Sequence, residues 1–236
     1  VVNKKLARAM GSAMWMYDLT GGIRIGKLHK RISAKEALAH FPTLPEKRLL
    51  PSYLYYDARA DDARLSLAVA RTAAIEHGAV VANRAEVAGL TKDDDGRVVA
   101  VEVHADGRSL SVRTDSVINA TGVWADDIRA LDDPGADATI RPAKGIHITV
   151  PWHRLRNDIA AVIPVPADKR SVFVVPWGDF SFVGTTDTDY DGPLDDPQCT
   201  PEDVQYLLDA VNGSTTADLT VDDVVATWAG LRPLVA

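Results

Sequence analysis

Apolar and polar positions along the chain change period several times, and each change marks an element. Lys4 to Tyr17 alternates bulky and small apolar residues among good helix formers, which predicts a helix broken near Gly11. Ser33 with Glu36 three residues on is a capping-box pattern, and Phe41-Pro42 closes the short helix it starts. Leu49 to Tyr56 reads as a strand. Leu65, Ala68, Val69, Thr72, Ala73 and Ile75 recur at helical spacing after Asp61-Asp62 and before His77-Gly78, which predicts a capped helix with those residues on its buried side. Ala79 to Ala82 follows as a short buried strand, an order that favours a parallel sheet.

Period two then takes over. Glu86 to Thr91, Val98 to His104 and Leu110 to Thr114 are predicted strands, with Asp93 to Gly96 and Asp106-Gly107 as the turns of a β-meander. Val117-Ile118 is a further buried strand, ending at Asn119-Ala120-Thr121-Gly122 before a helix from Trp124 to Leu131. Four short β-rich segments follow: Lys144 to Pro151, Ala160 to Val165, Ser171 to Pro176 and Phe180 to Thr185. Pro, Asp and Gly space them, as in an antiparallel sheet. Thr200-Pro201 starts a helix that should run to Asn212 and stop at Gly213. A shorter helix begins near Thr220, and Thr227 to Leu234 is extended.

The fold class is therefore α/β plus α+β: a partial Rossmann-like domain, with a parallel sheet and a β-meander, and a mainly antiparallel second domain. The expected boundaries are a helical segment 1–48 associated with the second domain, 49–142 in the Rossmann-like domain, 143–227 in the antiparallel domain, and 228–236 returning to the first.

Composition changes this picture little. The chain has 236 residues, 46% hydrophobic and 25% charged, as in ordinary globular proteins. A net charge of −7 argues against nucleic-acid binding, so an anionic substrate needs a local cationic pocket. Cys199 is the single cysteine, which suits a reducing cytoplasm. The histidines lack metal-ligand spacing, so no metal is expected. The chain starts at Val1 and stops after Gly230-Leu231-Arg232-Pro233-Leu234, which reads as an internal piece of a longer protein.

Six segments in order carry a resemblance. They are Tyr56 to Leu65, Asn119 to Trp124, Arg141 to Ile148, Val172 to Trp177, Phe182 to Asp187, and Gly230 to Leu234. Together they resemble the FAD-dependent glycerol-3-phosphate dehydrogenases of the D-amino-acid-oxidase-like flavoprotein superfamily, over nearly the whole chain. The family's N-terminal G-x-G-x-x-G fingerprint has no counterpart; Gly21 to Gly26 has the wrong spacing and reads as a loop. The chain as given is expected to hold FAD weakly, because the pyrophosphate needs that turn.

The resemblance implies oxidation of sn-glycerol 3-phosphate to dihydroxyacetone phosphate on FAD. It further implies electron transfer to a quinone-type membrane acceptor, and a cytoplasmic protein peripheral to the inner face of the cell membrane; a homodimer is allowed. It places Arg232 at the substrate phosphate, for which a planar guanidinium is suited. Lys144 and His147 are the other catalytic candidates, and Thr186 is a second substrate contact. Val87, Ala120, Thr121 and Gly122 are the cofactor-binding candidates. Two other readings stay open: a related flavin oxidase of an amino acid or 2-hydroxy acid, and a non-catalytic fragment.

Overall fold

The computed structural model describes residues 4–22, 26–50, 52–165 and 170–235. In chain order the elements are α1 (Lys4–Tyr17), β1 (Lys30–Ile32), α2 (Ala34–His40), β2 (Ser52–Leu54), α3 (Asp62–His77) and β3 (Ala85–Lys92). Then come β4 (Val98–Ala105), β5 (Arg108–Arg113), α4 (Ala125–Asp132), β6 (Ile140–Pro151), β7 (Ala161–Pro164) and β8 (Ser171–Trp177). Last are β9 (Phe180–Gly184), β10 (Thr188–Asp189), α5 (Pro201–Ser214) and β11 (Ala226–Val235). α1 runs through Gly11 without a break and leads into a π-helical turn at Asp18–Gly22. The Gly21 to Gly26 segment otherwise lies partly outside the described residues.

The chain divides into two compact units. Unit 1 comprises Val1–Asp57 and Pro142–Arg232; unit 2 comprises Ala58–Arg141 and Pro233–Ala236. The first division thus falls at Asp57/Ala58 rather than near Leu49, and β11 stays with unit 1 through Arg232.

Unit 1 is built on an antiparallel sheet in the order β10-β6-β9-β8-β7, with β11 paired to β6. Strand alternation sends one set of side chains to each face. Ile146, Ile148 and Val150 of β6, Val172 and Val174 of β8 and Val183 of β9 are fully buried. They form the core with Leu207, Leu208, Ala210 and Val211 of α5. α5 starts where expected. Thr200 and Asp203 form a capping box with Pro201 in the first turn, and the helix continues through Gly213 to Ser214 because its apolar face stays packed. Asn157 is fully buried and satisfied: it accepts from the Ser181 hydroxyl at 2.9 Å and donates to the Ile159 carbonyl at 3.0 Å. β1 and β2 pair as a two-stranded antiparallel sheet in this unit, and Ser33–Glu36 caps α2 reciprocally.

Unit 2 holds the expected meander β3-β4-β5. Asp61 caps α3 and Gly78 closes it in the left-handed conformation. Two expectations fail here. Residues 79–82 and 117–119 form no strand, and Val80 is 96% and Ile118 89% exposed. The apolar stripe of α3 is exposed as well, with Leu65, Val69 and Ile75 between 55% and 68% accessible. The physical reason is common to both: an apolar run is buried only when a second layer covers it, and the described residues of unit 2 supply none.

Candidate active site

The face of the unit 1 sheet opposite its core carries the candidate side chains His147 and Arg232. Gly145 and His147 of β6 alternate with Ile146 and Ile148, so they stand on this outer face. Trp228, Gly230 and Arg232 of the neighbouring β11 share one side at period two. The Arg232 guanidinium lies over Gly145: a Cβ built there would stand 2.6 Å from both terminal nitrogens and 2.5 Å from the Thr185 hydroxyl. With a side chain at this position the guanidinium and the Thr185 hydroxyl would have to shift.

Three hydrogen bonds hold the guanidinium. Nη2 donates to the Thr185 hydroxyl at 2.9 Å; Nη1 donates to the Thr186 carbonyl at 3.2 Å and to the Asp187 carboxylate at 3.3 Å. The Asp187 pair is half-exposed and long, so it adds little to stability. Its effect is on direction: the fork is fixed by backbone and hydroxyl, while its remaining N–H groups stay available to an oxyanion.

Beside this cation lies an aromatic row. The His147 ring stacks on Trp228 with centroids 4.8 Å apart and planes 10° from parallel. Phe182 meets Trp228 edge-on at 4.9 Å, and Trp177 stacks on Phe182 at 5.4 Å. His147 faces Gly184 across the ladder, where a Cβ would collide with the imidazole ring. The ring is thereby held flat between a glycine backbone and an indole.

Two expected contacts are placed elsewhere. Lys144 has the parity of Ile146, not of His147, and therefore points to the helix side. Its ammonium is buried, 2.6 Å from Asp203 and 3.1 Å from the Gln198 carbonyl, at the start of α5. A side chain so held is not a substrate cation. Thr186 is 2% exposed; its hydroxyl accepts from the Ile146 N–H at 3.1 Å and lies 3.4 Å from the Lys144 carbonyl. Only its carbonyl reaches Arg232. Thr185, Asp187, Gly145 and Trp228 join the candidates beside Arg232 and His147. The signal was present in Gly145 and Gly184, each placed where a ring or a guanidinium had to come close.

Asp203 shows the electrostatics of this corner. Burial acts to raise its pKa, but hydrogen bonds from Lys144 and Thr200 and the Lys144 charge outweigh it, leaving the carboxyl below the usual aspartate range. The Cys199 thiol is pushed up, first by burial and then by Asp203, against the opposing effects of a Thr227 hydrogen bond and the Lys144 charge.

In unit 2, the Asn119 to Gly122 corner is exposed and ordered by its own side chain. Asn119 donates to the Ala125 carbonyl at 2.8 Å and accepts from the Thr121 hydroxyl at 2.7 Å. Gly122 has φ 63°, with nothing within 4 Å of where a Cβ would stand. Ala120, Thr121 and Gly122 thus offer open backbone with little bulk, which fits close approach by a dinucleotide. Val87 lies on β3, the outer strand of the meander, half-buried and paired with Val103. Among the described residues no group of three or more His, Cys, Asp or Glu could hold a metal ion, and no helix is long and apolar enough to cross a membrane.

The profile described as FAD dependent oxidoreductase, DAO, matches residues 6–236. The chain belongs to the FAD dependent oxidoreductase family. Proteins similar to it include the glycerol-3-phosphate dehydrogenase of Mycobacterium leprae, 39% identical over 230 residues, which are 96% of this chain and 38% of that protein. The human mitochondrial glycerol-3-phosphate dehydrogenase is 37% identical, over 93% of this chain and 31% of that one. The chain therefore spans well under half the length of these relatives. Among solved structures, the glycerol-3-phosphate dehydrogenase of Bacillus halodurans complexed with FAD superposes with a TM-score of 0.82 at 33% identity, covering 87% of this chain and 42% of that one. The glycine oxidase of Bacillus cereus shares the fold, with a TM-score of 0.68 at 20% identity over 93% of this chain and 57% of its own. The mixed architecture, with an antiparallel sheet in unit 1 and an antiparallel meander in unit 2, is consistent with a partial Rossmann-like FAD domain of this family.

Proposed function

We propose that the intact protein oxidises sn-glycerol 3-phosphate to dihydroxyacetone phosphate, with Arg232 as the phosphate anchor. The observation that carries this reading is the guanidinium seated on Gly145 beside a flat aromatic face. Its support is the similarity to proteins named glycerol-3-phosphate dehydrogenase at 37–39% identity.

The roles follow from the chemistry of the side chains. Arg232 binds phosphate oxygens through the N–H groups that its three protein partners leave over, and fixes the distance of the substrate carbon chain from the sheet. His147 lies two residues from Gly145, about 7 Å along the strand. That spacing suits a phosphate at Arg232 and a middle-carbon hydroxyl near the imidazole, so His147 is the base that takes the hydroxyl proton. Trp228 holds the imidazole plane and excludes water from one side of it. FAD, when bound, supplies the two-electron acceptor. Ala120, Thr121, Gly122 and Val87 would hold it through backbone groups. A quinone-type acceptor, peripheral membrane attachment on the cytoplasmic side and a homodimer complete the proposal.

The test is Arg232→Ala in the intact, flavin-loaded protein. KM for sn-glycerol 3-phosphate rises by about two orders of magnitude, as for loss of a charge-assisted bidentate contact. Turnover of an amino acid or 2-hydroxy acid in preference to sn-glycerol 3-phosphate by the unsubstituted protein would assign the guanidinium to a carboxylate instead.

A further inference from the structure

Lys144 does not touch the outer face of the sheet, yet it is tied to Arg232 through a short chain of contacts. Its ammonium is clamped by Asp203 at 2.6 Å and by the Gln198 carbonyl at 3.1 Å. Asp203 is itself fixed, accepting from the Thr200 N–H at 3.0 Å and the Thr200 hydroxyl at 3.2 Å as the third residue of the α5 capping box. On the backbone side, the Thr186 hydroxyl bridges the Lys144 carbonyl and the Ile146 N–H, at 3.4 and 3.1 Å. Thr188 adds its hydroxyl to the same Lys144 carbonyl at 3.4 Å. Between these two anchored residues stands Gly145, the platform under the guanidinium. The Thr186 carbonyl closes the loop by accepting from Arg232.

We infer that the buried Lys144–Asp203 pair is a positioning device that sets the height and angle of the Arg232 guanidinium through the Lys144-Gly145-Ile146 backbone and Thr186. The inference rests on the reading of Arg232 as the anion anchor. Three physical points carry it. A buried ion pair with further hydrogen bonds is rigid, because breaking either partner leaves a charge without compensation. The Gly145 platform has no side chain of its own, so its position is set by its neighbours. The guanidinium has two of its three partners, the Thr185 hydroxyl and the Thr186 carbonyl, on the segment that the same network immobilises. A shift of a few tenths of an ångström at Gly145 therefore moves the donor fork and misaims a phosphate, while leaving the aromatic face in place.

The experiment uses intact, flavin-loaded protein with Lys144→Met, Thr186→Val and Arg232→Ala, alone and in pairs. Three readings are taken: KM and kcat for sn-glycerol 3-phosphate, competition by inorganic phosphate, and turnover of glycerol, which has no phosphate to anchor. Lys144→Met raises KM and the phosphate inhibition constant about tenfold, with glycerol turnover unchanged. Lys144→Arg restores most of the affinity. In the Arg232→Ala background, Lys144→Met has no further effect on KM.

Thr186→Val keeps the reading available if Lys144→Met fails to fold, because it removes the hydroxyl bridge from a nearly isosteric side chain and is expected to raise KM in the same way. Equal losses for glycerol and sn-glycerol 3-phosphate, or effects of Lys144→Met and Arg232→Ala that multiply, would overturn the positioning role. An unchanged KM in Arg232→Ala alone overturns the anchor reading beneath it, and is told apart by that single variant.

Discussion

Arg232 and Gly145 are packed so closely that a β-carbon on the glycine would stand 2.6 Å from both terminal guanidinium nitrogens. Gly145 is not needed for backbone freedom here; it is needed because an arginine crosses it. Gly145→Ala should therefore act as an arginine mutation. Its strand position tolerates alanine, so melting changes by about 1–3 kcal/mol of overpacking, while KM for sn-glycerol 3-phosphate rises nearly as far as in Arg232→Ala. Steady-state kinetics beside a thermal melt checks this; an unchanged KM would show that the fork can move aside.

Arg232→Lys separates charge from geometry. A lysine keeps the positive charge but cannot reach the Thr185 hydroxyl, the Thr186 carbonyl and a phosphate together. Affinity is expected to stay at least about tenfold weaker than in the unsubstituted protein, and full recovery would mean that charge alone suffices. Stability is expected to change by less than about 1 kcal/mol, because the Asp187 pair is exposed.

His147 stacks on Trp228, and its proposed role as base is tested by removing the imidazole. His147→Gln removes the base but keeps a planar polar group against the indole. The expected outcome is a fall in kcat of about two to four orders of magnitude, with loss of the acidic limb of the kcat profile and little change in KM. A profile that keeps its limb would assign the base to another group.

Acid should weaken unit 1 through Asp203. Its folded pKa is lowered, with burial outweighed by the bonds from Lys144 and Thr200. A depressed carboxyl stabilises the fold above its unfolded pKa, and the contribution is lost as pH falls through the folded value. Melting temperature should accordingly decline below the ordinary aspartate range near pH ~4. Asp203→Asn should be less stable at neutral pH and flatter with acid. A parallel decline in both proteins would remove Asp203 as the cause.

The Cys199 thiol is held up, mainly by burial, and should react slowly. At pH 8, thiol-directed alkylation is expected to proceed well below the rate of an unhindered cysteine and to accelerate on unfolding. A rate equal to that of a free thiol would contradict the burial seen at the start of α5.

The elements most legible from the chain were those with local causes. Capping residues Ser33, Asp61 and Thr200 and the turns at Gly96 and Gly107 lie within a few residues of what they control, and the structure places helices and strands beside them accordingly. The six ordered segments led to the FAD-oxidoreductase family for a similar reason: each is a short contiguous pattern. Alternation within β6 also held the information that separates Lys144 from His147, since Lys144 has the parity of Ile146.

What local pattern could not decide depends on partners far away in the chain. Residues 79–82 and 117–119 have the composition of buried strands, but a strand exists only when a second one pairs with it, and an apolar stripe such as that of α3 is buried only when a layer covers it. Thr186 offered a hydroxyl that the chain alone could not aim; its burial against β6 turned it inward and left only its carbonyl for Arg232. Residue types and short-range order were thus written in the sequence, while the neighbours of Arg232, His147, Lys144 and Thr186 were settled by contacts with segments distant in the chain.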